Sequence, residues 1–363
     1  MYIAGIGVVF SGGRGIDHFE ESLKQGWIPP SQNERFFLPG QKMPVYQVDK
    51  ETLTDKNRLK KMRRADRFSK MATIAACDAF YDSGLSPEKT TNLGIIVATA
   101  FGPHPTTFRF LDDIIDYSDA GVSPIIFSHS VHNAAASYIA SALKTNGPAL
   151  TVTQFHFSFH QALILAQAWI REGRCEHVLI GSVDECGQVM EYIYEKKLKI
   201  AFDGKIEPFN FSASPSAVPG EGSMFFIMTG SDSPKNYCQV TDVIIDNTLN
   251  NNKPDIYILD ADGMTDETAY KNTAATGVML AGYAPVFGSM MTGSAFNCAA
   301  AALMLKKQII YASPQQENRY AVNICKQTRK TMISSIECVK HDCIEKKAII
   351  KLKKQIELGN IAP

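Results

Sequence analysis

The stretch Gly147–Gly173, GPALTVTQFHFSFHQALILAQAWIREG, reads as a buried strand running into a helix, and at the junction His156 stands between two phenylalanines. A side chain at the N-terminal edge of a helix faces the positive end of the macrodipole. A thiol there would have its pKa lowered and become a good nucleophile. An imidazole there is biased towards its neutral form. The location suits a nucleophilic cysteine, and the residue present is not one. The helix behind it carries Ala162, Leu163, Leu165, Ala166, Trp169 and Ile170, leaves little polar face, and is predicted to be buried.

The cysteines offer no replacement chemistry. Cys77, Cys175, Cys186, Cys238, Cys298, Cys325, Cys338 and Cys343 are scattered, with no CxxC pair and no paired histidine spacing. They read as reduced, buried thiols rather than zinc ligands, so neither a metal nor a cofactor is expected. Lys plus Arg equals Asp plus Glu, so the formal net charge is zero. That argues against duplex nucleic acid, which selects a basic excess, and it favours association. The densest basic run is KNRLKKMRR, Lys56–Arg64; it reads either as a patch for an acidic partner or as a solvated helix start. The N-terminal MYIAGIGVVFSGG breaks at glycines and lacks a positive leader, so it is read as a first strand. No run approaches the ~20 apolar residues of a membrane span. The expectation is a cytoplasmic protein without a membrane partner.

The elements that must position His156 follow from periodicity. Strands are predicted at Tyr2–Phe10, Leu93–Ala98, Ala149–Thr153, Val178–Ile180, Met224–Met228, Val240–Ile245, Ile256–Leu259 and Ala348–Leu352. Helices are predicted at Arg67–Ser83, Asn133–Leu143, Phe159–Arg171, Tyr270–Leu280 and Ser294–Lys307. Their alternation implies an α/β fold with parallel pairing. The chain also echoes itself. LGIIVATA and DIYILDAD are both apolar strands ending at a polar turn. FHQALILAQAWI and SAFNCAAAALML are both helices rich in small residues. A duplicated half predicts five layers, α-β-α-β-α, with the halves 1–230 and 231–363 dividing at the polar stretch TGSDSPKN. The 363 residues suit two cores or one large unit.

In the order and spacing of seven such pieces, the sequence resembles the β-ketoacyl synthase family of thiolase-fold condensing enzymes. The pieces are KKMRRADRFSKMATIAACDAFYDSGL, LGIIVATAFG, VSPIIFSHSVHNAAASYIASALKTNGPALTV, EGRCEHVLIGSVDE, EPFNFSASPSAVPGEGSMFFI, ILDADGMTD and GSMMTGSAFNCAAAALML. The resemblance implies a cysteine that holds the acyl chain as a thioester, two histidines that assist malonyl decarboxylation, a lysine, and a Gly-Phe-Gly loop. At those positions this chain has His156, Asp262, Ser289 and Ala284, and KHDCIEKKAII replaces the loop. Asp262, if ionised, would repel a malonyl carboxylate. The resemblance narrows to the chain-length factor, the non-catalytic ketosynthase-like subunit of bacterial type II polyketide synthases. In that class the usual replacement of the nucleophile is Gln, and here it is His156, with Gln154 two residues before. The second half is also shorter than the family norm around Ser231–Pro254.

That reading implies a heterodimer with a catalytic ketosynthase, an acyl carrier protein that visits mainly that partner, and a tunnel whose bulk sets polyketide chain length. The expected tunnel and interface residues are Ile125, Phe127, His129, Val131 and His132, with Phe155, Phe157 and Phe159 filling the former active site. His156 is expected to be a neutral, buried plug with a local hydrogen bond. The strand Ala149–Thr153 is expected to meet the partner's equivalent strand over an interface of upwards of ~2,000 Å². An aromatic polyketide pathway is preferred over an aryl polyene one. Three rivals stand beside it: a thioester hydrolase with Ser289, His156 and Asp262 as a triad, decarboxylative priming, and a homodimeric binding protein of the same fold.

Overall fold

The computed structural model describes residues 1–54, 62–118, 121–211, 216–246, 253–314, 322–342 and 346–355. Ten strands make its principal sheet path: β1 (Tyr2–Phe10), β2 (Gly94–Thr99), β3 (Ala149–Thr153), β4 (His177–Asp184), β5 (Gly222–Thr229), β6 (Cys238–Ile245), β7 (Ile256–Leu259), β8 (Met279–Ala281), β9 (Ser335–His341) and β10 (Lys347–Lys353). Their order is β8-β7-β9-β10-β6-β1-β5-β4-β2-β3. The first five strands in chain order lie as 3-2-4-5-1, and so do the second five. The pairing directions also repeat. The third, second and fourth strands of each set run parallel, and the fifth lies antiparallel to its two neighbours. The sets join through a short antiparallel contact, Tyr2 opposite Gln239 and Ile3 opposite Cys238.

The two stretches LGIIVATA and DIYILDAD become β2 and β7, the second strand of each set. The two small-residue helices, Ser158–Arg171 and Ser294–Lys307, form the central layer. Each packs against strands of both sets, and their buried faces share one hydrophobic core. The helices Arg67–Asp82 and Ala134–Leu143 cover the outer face of the first set with a second core. Asp66 caps the helix Arg67–Asp82 by accepting from Ser69 N at 2.9 Å. The helix lies so close on β1 that a Cβ at Gly7 would meet Ala75 O at 2.1 Å, so only glycine fits there. This is the duplicated five-layer architecture expected from the sequence.

Several elements differ from expectation. The sheet is mixed rather than parallel, because the last strand of each set is inserted antiparallel between the fourth and the first. Tyr270–Leu280 is not one helix. The helix stops at Ala274, Gly277 takes φ 74, and Met279–Ala281 joins the sheet beside β7. The helices Ile16–Gln25, His104–Tyr117, Pro124–Ser130 and Gln188–Lys196, and the strand β9, were not predicted. Of the basic run, Lys56–Lys61 lie outside the described residues, as does Cys343; Arg63 and Arg64 are exposed.

Candidate functional site

β3 ends at Thr153 and the helix Ser158–Arg171 begins five residues later, with a short 3-10 turn, Phe155–Phe157, between them. Ser158 stitches this junction. Its Oγ accepts from Gln154 N at 2.7 Å and donates to Thr99 O at 2.9 Å, with Phe155 O also within 3.0 Å. Phe155 takes φ 42, the left-handed region that a bulky residue rarely adopts. Its ring points outwards, 58% exposed, and meets Phe101 edge-on at 5.5 Å between centroids. Phe155 therefore does not fill the former active site, whereas Phe157 and Phe159 are buried.

His156 sits partly buried on the turn, and its Nδ1 is buried without a hydrogen-bond partner. The expected local bond at that nitrogen is absent, because the turn's polar contacts are taken by Ser158. Burial lowers the imidazole's pKa to about 3, and nearby Lys340 lowers it further than Asp260 raises it. One turn on, His160 is fully buried with both ring nitrogens unpartnered, and burial lowers its pKa to about 4.

Facing this junction is the end of β7. Asp260 Oδ2 accepts from Ser294 Oγ at 2.6 Å and from Lys340 Nζ at 2.9 Å, while its Oδ1 accepts from Asn297 Nδ2 at 2.5 Å. Asp262 Oδ2 lies 3.2 Å from the same Lys340 Nζ, and its Oδ1 accepts from Met264 N. Ala261, between the two carboxylates, has φ 29. Lys340 comes from β9, is 2% exposed, and is the one buried lysine among the described residues. Burial opposes its charge, but the two carboxylates outweigh that and hold its pKa up. Burial also pushes Asp260 up, but Lys340 and the two other donors, Ser294 and Asn297, bring it below the usual carboxylate range. Asp262 has fewer donors and a neighbouring carboxylate, so burial prevails and its pKa rises. Asp260 is thus the more acidic of the two carboxyl partners of Lys340.

Ser289 is fully buried. Its Oγ donates to Asp262 O at 2.5 Å and accepts from Val218 N at 3.1 Å, and its carbonyl accepts from Tyr194 OH at 2.5 Å. The Ser289–His156–Asp262 triad does not form. The serine proton goes to a backbone carbonyl and the Asp262 carboxylate to Lys340, so His156 orients neither. Ala284 starts a short helix, Ala284–Phe287, inside the apolar core, where a charge would be unsupported. A buried lysine does occur in the chain, at Lys340 on β9.

The segment expected at an interface forms a helix, Pro124–Ser130, and the turn after it. Ile125, Phe127, Val131 and His132 are exposed, and His129 is buried with its Nε2 2.6 Å from Tyr138 OH. The His132 ring lies over Gly102, where any Cβ would meet it at 2.6 Å; this places His132 beside Phe101 and so near Phe155. The unpredicted helix His104–Tyr117 adds Phe108, Leu111, Ile114 and Ile115, all exposed. Among the described residues β3 closes one end of the sheet, paired only with β2, and exposes Leu150. Sequence reasoning missed Asp260, His160, Lys340 and this helix. The available signals were a lysine inside the apolar run IECVKH and a helical stripe of apolar residues from Phe108 to Ile115.

Comparison with known proteins agrees with this geometry. The model of the β-ketoacyl synthase N-terminal domain matches residues 1–233. The oxytetracycline polyketide β-ketoacyl synthase 1 of Streptomyces rimosus is 26% identical over 241 residues, 63% of this chain and 57% of that protein. The chain thus spans little more than half the length of that curated relative. Among solved structures, the ishigamide ketosynthase/chain length factor superposes with a TM-score of 0.80 at 14% identity, over 97% of this chain and 98% of that one. A type II polyketide synthase acyl-carrier protein in complex with its ketosynthase superposes with a TM-score of 0.77 at 15% identity, over 97% and 98%. At these identities the structures speak to the fold: this chain has the ketosynthase fold throughout.

Proposed function

This chain belongs to the β-ketoacyl synthase family, and from that premise we propose that it is a non-catalytic subunit of a type II polyketide synthase, a chain-length factor. In this role it pairs with an active ketosynthase and shapes the tunnel into which that partner's acyl chain grows. The observation that carries the reading is the Lys340–Asp260–Asp262 group. In condensation the site must present an acceptor for the acyl group and positive charge or donors to a developing enolate. Here the one buried lysine among the described residues is paired with two carboxylates, His156 is neutral, and the Ser289 hydroxyl is bound to backbone.

The partner is supported by the surface. β3, ALTVT, is an open sheet edge without a lysine or proline to protect it. Leu150 on this strand, Phe155 after it and apolar residues of the helices His104–Tyr117 and Pro124–Ser130 are exposed. Apolar patches of this kind mark interfaces. The carrier protein would meet mainly the catalytic partner, and an aromatic polyketide is the preferred product over an aryl polyene.

The test is co-expression with a catalytic ketosynthase, followed by size-exclusion chromatography and a product assay with malonyl carrier protein. Heterodimer and product are expected. Changing the partner's nucleophile abolishes product, and His156→Ala leaves turnover in place. Leu150→Asp, at an exposed site, leaves this chain folded and dissociates the pair. A stable homodimer that ignores the ketosynthase, or loss of turnover in His156→Ala with assembly intact, overturns the reading.

A further inference from the structure

Independently of the chain-length reading, we propose that the hairpin Ser31–Val45 is a docking tip that seats this chain on an anionic lipid surface. The hairpin pairs Ser31–Glu34 with Lys42–Val45, and every residue from Phe36 to Lys42 across its turn is exposed. Three successive apolar side chains lie on that turn: Phe36, Phe37 and Leu38, 64%, 52% and 38% exposed. Single exposed apolar residues are ordinary, but these are joined by two more from neighbouring segments. The Phe37 ring meets the exposed Tyr192 at 6.1 Å between centroids, and the Arg35 guanidinium lies 6.0 Å from the ring of the exposed Phe202. A contiguous apolar patch marks an interaction site.

The turn is tied down from beneath. Arg35 is buried and donates to Glu195 Oε2 at 2.6 Å and to Gln41 Oε1 at 3.1 Å, with the Glu191 carboxylate 3.5 Å away. Glu191 also accepts from Phe36 N at 2.7 Å, which fastens the turn to the helix Gln188–Lys196. The apolar side chains are thus presented on an ordered backbone, and docking costs little ordering entropy.

Charge and shape identify the partner. Arg35 and Lys196 are matched by Glu191 and Glu195. The exposed Lys42, Lys197, Lys199 and Lys205 remain, against the exposed Glu34 and Asp203, whose carboxylates accept from Gly40 N and Lys205 N. In a chain of zero formal net charge this is a local cationic excess. Aromatic rings with lysines beside them suit the membrane–water boundary, where the rings sit at headgroup level and the lysines meet anionic lipid. An acidic protein would satisfy the same charges, and the shape decides between the two. A peptide segment is received by a groove or a sheet edge. This tip is convex, since a Cβ at Gly40 would meet nothing within 4 Å. A headgroup layer takes a projecting turn without a matching groove. No helix among the described residues is long and apolar enough to cross a membrane, so the contact is peripheral. The expectation of no membrane partner rested on the lack of a spanning run and does not bear on such a contact.

The test is vesicle flotation of the full chain as it purifies, alone or with a ketosynthase bound. Vesicles of phosphatidylglycerol and phosphatidylcholine in equal parts carry the chain, vesicles of phosphatidylcholine alone do not, and binding falls as salt is raised. Phe36→Ser with Phe37→Ser lowers the partition constant at least about tenfold. Lys197→Gln with Lys199→Gln lowers it at least about fivefold and flattens its salt dependence. Met332→Ser, which removes an exposed apolar side chain from a loop of the second half, leaves it unchanged. If the serine variant fails to fold, Phe36→Trp carries the test, its added tryptophan emission shifting to the blue when anionic vesicles bind. Absence of binding to anionic vesicles at low salt overturns the proposal. So does binding that neither pair of substitutions alters, or emission from Phe36→Trp that stays put on bound vesicles. Capture of an acidic acyl carrier protein through Phe36 and Phe37, with vesicles ignored, overturns the lipid surface and gives the tip to a protein partner.

Discussion

Lys340→Met removes one charge from a buried group of three and leaves the other two facing each other. Losing one partner of a buried ion pair costs about 3–5 kcal/mol, because the remaining charge is uncompensated. The structure places this case towards the lower figure. Asp260 keeps Ser294 and Asn297 as donors, and Asp262 keeps Met264 N and already has a raised pKa. A loss of about 3 kcal/mol at pH 7 is expected, a large part of the roughly 5–15 kcal/mol that holds a domain folded. Without the cation both carboxyls take folded-state pKa values above their unfolded ones. Their contribution is then present at low pH and lost as pH rises through the folded values, so the variant is penalised more at pH 7 than at pH 5. The assay is urea unfolding at fixed protein concentration, with the midpoint shifted and the slope unchanged. Lys89→Met is the control. It breaks an exposed pair with Glu176 and costs about 0–1 kcal/mol. Adding Asp262→Asn to Lys340→Met recovers part of the loss. A Lys340→Met protein within about 1 kcal/mol of wild type at pH 7 would refute the argument that the former site is now a structural cross-link.

Two further outcomes follow from the same geometry. Ser289→Ala strands the Val218 N–H and removes a donor from Asp262 O, so stability falls by about 1–3 kcal/mol. Any thioester hydrolysis by the pure chain should be unchanged, and hydrolysis lost with the fold intact would bring the triad back. The buried histidines make stability depend on pH. His160 takes up no proton in the folded state until about pH 4, whereas its unfolded imidazole does so at its ordinary value. Its contribution is full above the unfolded pKa and is lost as pH falls towards the folded one, by about 1.4 kcal/mol at roughly pH 5.5. His160→Leu should flatten the pH dependence of the unfolding free energy over that window by this amount, and an unchanged slope would show that the imidazole is not buried neutral. Glu185, lifted to about 8 by burial, acts in the opposite sense and is untouched by the substitution.

The parts of the fold legible in the sequence were those whose periodicity is set by burial. β1, β3 and β7 stand out because each is a short apolar run between breakers, and the two central helices because they are apolar nearly all round. The echo between LGIIVATA and DIYILDAD was legible because equivalent strands in two like halves meet the same packing demands. β9 was not, because Glu337, Lys340 and His341 interrupt its apolar pattern, and their charges make sense only once Asp260 and Asp262 are brought beside Lys340. The helix His104–Tyr117 was missed because it starts at a Pro-His-Pro run and exposes the apolar residues that normally mark an inward face. The identities at 156, 262, 284 and 289 could be read directly. Their hydrogen bonds could not, since whether Ser289 bonds a histidine, a carboxylate or a carbonyl depends on a few ångströms of loop placement.

The bonding at these positions bears on why replacements should come as a set. A cysteine returned to position 156 would stand beside a neutralised lysine, with no donor at 284 or 289 to receive an enolate's charge. A lysine returned to 284 would enter an apolar core that has closed around alanine. Asp262 and Ser289 instead complete something structural. Asp260 and Asp262 tie the end of β7 to β9 and, through Ser294 and Asn297, to the central helix. Ser289 ties its own loop to Val218 and Asp262. Replacement of Asp262 or Ser289 alone breaks such a tie before it restores a reactive group, so it loses stability without gaining chemistry. What the junction still displays to the outside is Phe155, held out by a backbone that free-energy considerations alone would have assigned to glycine.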